Sequence, residues 1–600
     1  MQDYTAPLEK LRFTLDHIAD FPRQLQHTGF EEWNAETAGQ WLESAGRFFA
    51  EVWAPTNYPA DRLGAHLEQG QVIVHPSFPE VYRRTMDGGW NVLPRNPSPG
   101  EPGVPWMIHA AGIELMSSAN GSLSMLTGLI AGAVELLERH ARPAQQALYV
   151  PKLRSGEWAG AMDLSEPEAG SDLGSLRTKA ILQADGSYRL FGTKRYISWA
   201  DHELTPNIVH LVLARTPDAP AGTSGISCFI VPKYVPDANG RPGVRNDIHC
   251  AKVEQNMGFR ASPTCIVHLG DADGAVGYLI GNEGDGMRIM FTMMNSNRLA
   301  TALGAMGIAE RAYQAARAYC RLRVQGVPAG MAPGSPIVHH PDVRRMLMTM
   351  SSHIDGMRAL CYYLAGCFDM AAHAPDAMER QQYQALADLL TPVTKSWCTE
   401  AGSEVTSLAI QLHGGSGFVE ETGVAQHYRD IRIMSIFEGT NGIQAQDLVA
   451  RKLARDGARP VHALLGRLRT LAQSSAQGDE AARTVGASLS RAIDLLAEAT
   501  DWMLRHNRGT DRDAFAGASA YQRLFGGVVV ASLLVQGAQS ARTLLQQAGT
   551  ATGPYSPAFL QARISSAAFF TEQLLALYTA WSGPAMAGCS SLFATPEECL

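Results

Sequence analysis

Residues 178–198 read TKAILQADGSYRLFGTKRYIS. Two runs of alternating apolar and polar side chains flank the pair Asp185–Gly186, a strong short-range hairpin signal. Working outward, NIVHLVLAR (207–215), GISCFIVPKY (225–234) and PTCIVHLG (263–270) are further β-rich runs bounded by Pro, Gly and Asp. Strand follows strand with no helix between, which predicts an antiparallel β-domain over 157–284, a barrel or a sandwich, and not a βαβ nucleotide fold.

Helical periodicity surrounds this block. ELMSSANGSLSMLTGLIAGAVELLERHA (114–141) has apolar residues at helical spacing, and PAQQALYVPKL follows as another helical piece, giving a helical domain over 1–156. Pro and Gly in WNVLPRNPSPGEPGVPW (90–106) predict a long loop. After GNEGDG (281–286), long amphipathic runs over 297–325, 339–368 and 385–415 and a last one near 441–455 predict a four-helix bundle over 285–455. Four more helical runs fill 456–600, a block without a candidate catalytic cluster whose expected role is packing or assembly.

Six hundred residues exceed what one core holds, so several domains are expected. A net charge of −8 with interspersed signs and no basic run argues against nucleic-acid binding. Nine widely spaced cysteines form no metal framework, and no metal is expected. The opening MQDYTAPLEKLRF resembles no secretion or transit signal, and LFGGVVVASLLV (524–535) is too short to span a bilayer. A cytoplasmic protein with no membrane span is the expectation.

Several short signals fail as chemistry. GNEGDG lacks the spacing and βαβ context of a phosphate loop, HGGSGF (413–418) has no nucleophile elbow beside it, and His339–His340 precede a helix start. Three stretches do better together. In AMDLSEPEAGSDLGSLRTKA (161–180), Ser165 and Ser171 bracket a rigid Pro and a Gly, so hydroxyls and amides can meet a heterocycle or phosphate; a capped turn would use the same residues. In GTKRYIS (192–198), Tyr196 and Ser198 share a strand face, as an ordinary strand pair also would. In SIFEGTNGIQ (435–444), Glu438 stands between Phe437 and the turn-forming Gly439, Thr440 and Asn441, as a solvated loop charge or as a base.

Taken together, S-E-P-x-A-G-S-D opening a β-domain and F-E-G-T-N-x-I-Q near the end of a helical bundle resemble the acyl-CoA dehydrogenase family across about residues 1–455. The additional C-terminal helical domain is similar to the larger bacterial branch that includes 3-methylmercaptopropionyl-CoA dehydrogenases. The resemblance implies a mainly α fold with a central β domain: helical domain, β-barrel, four-helix bundle and the extra helical domain. It implies FAD-dependent α,β-dehydrogenation of an acyl-CoA to a trans-2-enoyl-CoA. Glu438 would be the base that takes the α-proton, the β-hydride would go to flavin N5, and electrons would pass to an electron-transfer flavoprotein.

By the same resemblance FAD would contact Met162, Leu164, Ser165, Ser171, Tyr196, Ser198, Thr440 and Asn441. In the partner subunit of a homodimer it would contact Arg323, Gln325, Gln411, Gly414 and Gly415. Ser171, Asn295, Arg298, Phe437 and Gly439 would face the substrate, although Arg298, read as a helix-start residue, could equally form a structural salt bridge. Some relatives carry the base on the helix near Arg298, where Asn297 cannot accept a proton, which favours Glu438. Loop 96–105 departs from the family's glycine-rich pattern, which leaves the acyl chain length open. The alternatives are an acyl-CoA oxidase that uses oxygen, disfavoured by an end (PEECL) that is no peroxisomal address, and a DNA-binding flavoprotein on the same scaffold.

Overall fold

The computed structural model describes residues 4–91, 103–475, 477–507, 512–547 and 554–600. They form two compact units, one of Phe48–Leu93 and Ala119–Ala300, the other of Met1–Arg47, Pro94–Ser118 and Thr301–Leu600.

The first unit is built on one eight-stranded sheet. Its strands are β1 (Ala159–Asp163), β2 (Lys179–Leu182), β3 (Tyr188–Ser198), β4 (Ile208–Arg215), β5 (Ile226–Pro232), β6 (Ile248–Val253), β7 (Thr264–Leu269) and β8 (Ala275–Ile280). They run in the order β6-β7-β3-β8-β5-β4-β1, with β2 beside β3 and β4. The Asp185–Gly186 hairpin closes as its sequence dictates, with Leu182 opposite Tyr188 and Gly186 at φ +82°. Strand β3 is long enough to change partners, meeting β2 and β8 through residues 188–191 and β7 through 192–198.

The all-antiparallel expectation fails at two places, and the smaller is a parallel contact of β2 with β4 at Lys179 opposite Arg215. Strand β1 runs parallel to β4, from Ala159 opposite Ile208 to Asp163 opposite Val212. The chain leaves β1 through the SEPEAGSD loop and the β2–β3 hairpin before returning in β4, and a long crossover of this kind permits parallel pairing. A further departure is a small hairpin, His66–Glu68 with Gln71–Ile73, turning on Gln69 and Gly70 at positive φ. Three-residue strands leave too little alternation to read in a segment expected to be helical.

The run 114–141, expected as one helix, is two: Trp106–Ala119 and Gly121–His140. Asn120 divides them, because its side chain accepts a bond from the Leu123 amide (3.2 Å) and caps the second helix. Most of the loop expected over 90–106, and of the stretch 96–105, lies outside the described residues.

The bundle helices are α1 (Gly286–Leu322), α2 (Pro341–His373), α3 (Ala377–His413) and the short α4 (Asn441–Asp447), and the C-terminal block is centred on α5 (Arg512–Gln547). Helix α1 begins earlier than its expected start near 297, since GNEGDG is only the turn that opens it. Arg298 is therefore well inside the helix and not at its start. The apolar run 524–535 is buried within α5. Of the described helices, Gly121–His140 and α5 are long and apolar enough to cross a membrane, but their apolar windows are mostly covered by the protein itself.

A charge-balanced node fixes the second unit. Arg358 of α2, fully buried, donates to Glu114 (2.9 and 2.6 Å) and to Glu310 of α1 (3.0 Å), while Tyr362 donates to the other Glu114 oxygen (2.6 Å). One turn earlier Asp355 pairs with Lys10 (3.1 Å) and with Arg563 (2.6 Å) of helix Pro557–Phe569. Burial opposes ionisation of Asp355, but Arg563, Lys10 and Arg358 outweigh it and hold the carboxyl below its ordinary value. The N-terminal helix, the bundle and the C-terminal block are thus tied to one helix face. Gln522 of α5, donating to the Pro392 carbonyl in α3 (3.0 Å), adds a further tie.

Arg358→Met would leave Glu114 buried without its cation and Glu310 with Lys10 alone, at a cost of about 3–5 kcal/mol. We expect a thermal midpoint several degrees lower and poor soluble yield; an unchanged midpoint would contradict the node's role. The stability that Asp355 contributes is present above its unfolded pKa of 3.8 and lost as pH falls below it.

Candidate active site

In the second unit, the SIFEGTNGIQ stretch is an irregular turn between the 3-10 turn Arg432–Ser435 and α4. Glu438 has φ +57° and Gly439 φ +83°, so two consecutive residues occupy the left-handed region. For a glutamate that conformation is unfavourable and persists only where surroundings enforce it. Here they do. The fully buried Gln444 donates to the carbonyls of Glu438 (3.0 Å) and Gly439 (3.3 Å). Lys395 of α3, also fully buried, donates to the Gly439 carbonyl (3.0 Å) and to Asn441 Oδ1 (3.0 Å). Asn441 Nδ2 donates to Thr399 (3.1 Å), one turn along α3 from Lys395. Thr440 caps α4 by accepting from the Ile443 amide (3.2 Å). A Cβ on Gly439 would meet Gln444 Nε2 at 2.6 Å, so this position takes glycine for both space and backbone angle. Glu438 and Phe437 are half-buried.

Small residues let the approach to this turn pack closely. A Cβ on Gly402 of α3 would lie 2.6 Å from Ile431, and one on Gly304 of α1 would lie 3.0 Å from Met434.

At one end of the bundle Tyr319 stacks on His413 (4.5 Å between ring centres), joining the ends of α1 and α3. Arg323 and Gln325 follow the first, bonded to each other at 3.2 Å, and Gln411, Gly414 and Gly415 lie at the second. All five are exposed. Around them Leu322, Val324, Phe418 (89% exposed) and Val419 present apolar side chains to solvent. Among the described residues, chain neighbours aside, no atom lies within 4 Å of a Cβ added to Gly415, so their packing does not demand a glycine there.

In the first unit a second buried lysine organises the SEPEAGSD loop. Lys194 of β3 is fully buried and donates to the Leu164 carbonyl (3.0 Å) and to Glu166 (2.8 Å). The Glu166 carboxylate also accepts from the amides of Arg177 (2.6 Å) and Thr178 (3.1 Å) and from the Thr178 hydroxyl. Burial disfavours that charge, but Lys194, Thr178 and the Arg177 amide outweigh it and keep the carboxyl below its ordinary value. The Arg195 amide donates to the Ser165 carbonyl (2.9 Å). Leu164 and Ser165 are thereby brought against β3 beside Tyr196, while Ser171 sits exposed farther along the loop.

The expected shared face of Tyr196 and Ser198 needs a correction in its cause. The β3–β7 register shifts between Cys265 and Val267, and Tyr196 takes φ +64°, so a bulge rather than plain alternation sets its direction. Its ring is 58% exposed under the Arg195 guanidinium (4.7 Å). Met162 Sδ lies 3.9 Å from Asn297 Nδ2. Arg298 is buried, donating to Asn295 (3.2 Å) and lying over Phe291 (6.0 Å).

Three family models match the chain: "Acyl-CoA dehydrogenase, middle domain" over 161–272, "Acyl-CoA dehydrogenase, C-terminal domain" over 284–453 and "Acetyl-CoA dehydrogenase C-terminal like" over 464–596. The 3-methylmercaptopropionyl-CoA dehydrogenase of Ruegeria pomeroyi is 40% identical over 95% of this chain and 96% of its own. The chain belongs to the acyl-CoA dehydrogenase family. Among solved structures, Caenorhabditis elegans ACDH-11 in complex with C11-CoA matches all of this chain and 97% of its own at TM-score 0.77 and 20% identity. The acyl-CoA dehydrogenase of Bacillus anthracis complexed with FAD matches 95% of this chain and 90% of its own at TM-score 0.72 and 20% identity. This dehydrogenase thus has the family fold, with a middle β domain and an extra C-terminal helical domain.

The residues present fit the flavin that the resemblance implies. An exposed aromatic ring on a bulge, hydroxyls on a loop locked from beneath, and glycines at 170 and 415 with open space beside them are surfaces prepared for a ligand. Sequence reading missed the side chains that hold these surfaces: Lys194, Glu166, Lys395, Thr399 and Gln444. A visible signal existed for two of them, since Lys395 interrupts the apolar helical run LLTPVTKSW and Glu166 lies inside SEPEAGSD.

Lys194→Met should free the loop it anchors. We expect amide exchange over 164–178 to accelerate about tenfold or more, the equivalent of about 1.4 kcal/mol of lost local stability; unchanged protection would show that the lysine does not hold it.

Proposed function

We propose that this acyl-CoA dehydrogenase oxidises the Cα–Cβ bond of an acyl-CoA thioester to the trans-2-enoyl-CoA, with Glu438 as the base that takes the α-proton. The observation that supports this most is the strained Glu438–Gly439 backbone clasped by two buried side chains, Lys395 and Gln444. A surface glutamate needs no such restraint, whereas a base must be held within reach of a weakly acidic C–H. Half-burial next to Phe437 favours a carboxylate that gains basicity once substrate displaces water.

FAD is the cofactor; bound beside the acyl chain, it would supply the acceptor for the β-hydride. In this reading Met162, Leu164, Ser165, Ser171, Tyr196 and Ser198 bind and orient the flavin. Thr440 and Asn441 bind it too, and Ser171, Asn295, Arg298, Phe437 and Gly439 line or brace the acyl-CoA site. Buried Arg298 suits bracing Asn295 better than meeting solvent-borne phosphate directly.

The chain works as a homodimer in this proposal, with Arg323, Gln325, Gln411, Gly414 and Gly415 completing the partner's cofactor site. The exposed apolar residues beside them, Leu322, Val324, Phe418 and Val419, are the kind of surface that a second copy would cover. Electrons leave to an electron-transfer flavoprotein in the cytoplasm.

Glu438→Gln should cut turnover by about 10²–10⁴-fold with FAD still bound, because the amide keeps the shape but cannot accept a proton. Turnover near that of the unaltered enzyme would refute the assignment. Arg323→Ala should instead release flavin or shift the dimer on gel filtration; retention of both would remove Arg323 from the cofactor site.

A further inference from the structure

On the first unit, well away in sequence from every residue assigned above, His249 of β6 and His268 of β7 stand directly opposite one another across the antiparallel pair. Their rings lie 5.5 Å apart. Asp271 follows β7 by two residues and sends Oδ2 to within 3.5 Å of His249 Nε2 and 3.4 Å of His268 Nδ1. All three atoms lie within 4.8 Å of one another, with His249 and Asp271 exposed and His268 half-buried.

Those separations discriminate between two readings. A well-formed N–H···O bond measures about 2.7–3.2 Å. The edge of a tetrahedron of ligands around zinc, with bonds of about 2.0–2.1 Å, measures about 3.3–3.4 Å. Asp271 Oδ2 makes only a long hydrogen bond to His268 Nδ1 (3.4 Å), and its separations from both rings match the ligand spacing around a shared ion. The third ligand is also held in advance. Gly270 turns the chain at φ +80°, its amide donates to the Asp247 carbonyl (2.9 Å), and the Asp247 carboxylate accepts from the amides of Ala272, Asp273 and Gly274 (2.9, 2.9 and 3.0 Å). Asp271 is thus carried on a turn fixed from behind, and the two histidines on paired strands.

We propose that His249, His268 and Asp271 form a binding site for a divalent ion of the zinc class. Two imidazoles and one carboxylate suit Zn²⁺ or Co²⁺ and not the oxygen-seeking Mg²⁺ or Ca²⁺, and an exposed site leaves the remaining position to water. The ion cross-links β6 to the turn after β7, so its effect is to stabilise this edge of the sheet without entering the redox chemistry.

The test uses untagged full-length protein, stripped with chelator, dialysed and titrated with ZnCl₂ by calorimetry and with CoCl₂ by visible absorption. The chain has 18 histidines, so the comparison between variants carries the result. We expect one more equivalent of Zn²⁺ in the unaltered protein than in His249→Ala/His268→Ala, tetrahedral Co²⁺ absorption only in the former, and Asp271→Asn binding weakened about tenfold, the equivalent of about 1.4 kcal/mol. Zn²⁺ should raise the thermal midpoint of the unaltered chain alone. Flavin content and circular dichroism of the variants report that they fold; should the double variant fail to fold, Asp271→Asn decides alone. Equal stoichiometry and affinity in the unaltered and altered proteins would overturn the site.

Discussion

A glutamate in left-handed backbone is a costly arrangement, and the bundle is built so that it cannot relax. Lys395 and Gln444 hold the carbonyls of the Glu438–Gly439 turn from the buried side, and Asn441 is tied in turn to Thr399. Each of these donors is polar and buried, and each is usable only because the turn offers acceptors in the right places. The turn depends on the helices and the helices' buried polar groups depend on the turn. That mutual dependence is what fixes the backbone that carries the carboxylate.

The β unit repeats the same device with different parts. Lys194 and Glu166 sit beneath the SEPEAGSD loop and take up backbone groups of Leu164, Arg177 and Thr178, so the loop's exposed face is left for other work. In both places a buried lysine faces a loop that the proposed chemistry needs to be rigid. Farther back, the Arg358 node sets three cationic against three acidic side chains drawn from the N-terminal helix, the bundle and the C-terminal block. The extra C-terminal helices are therefore structurally continuous with the bundle.

Most of the element order was legible because period two and period 3.6 are unambiguous in long segments: the Asp185–Gly186 hairpin and the three long bundle helices follow from their patterns. What was not legible depends on partners far away in the chain. Strand β1 is short and rich in small residues, and its parallel pairing needs β4, which arrives only after a hairpin. Asn120 looks like one more polar residue in an apolar run until its side chain is seen capping the next helix. Motifs pointed to Glu438, Tyr196 and Ser165, but a motif names the residue that would meet a ligand. It is silent about the lysine behind it, whose role exists only when a helix or strand distant in sequence places its amine against a carbonyl.

The role proposed for Glu438 requires its carboxylate to exchange a proton with the α-carbon of a bound acyl-CoA. Incubation of the flavin-loaded protein with an acyl-CoA in D₂O under anaerobic conditions tests it directly, with deuterium at Cα read by mass spectrometry or NMR. Deuterium should enter with the unaltered protein and not above the buffer rate with Glu438→Gln. Equal incorporation by the two proteins would contradict this role and place the base elsewhere.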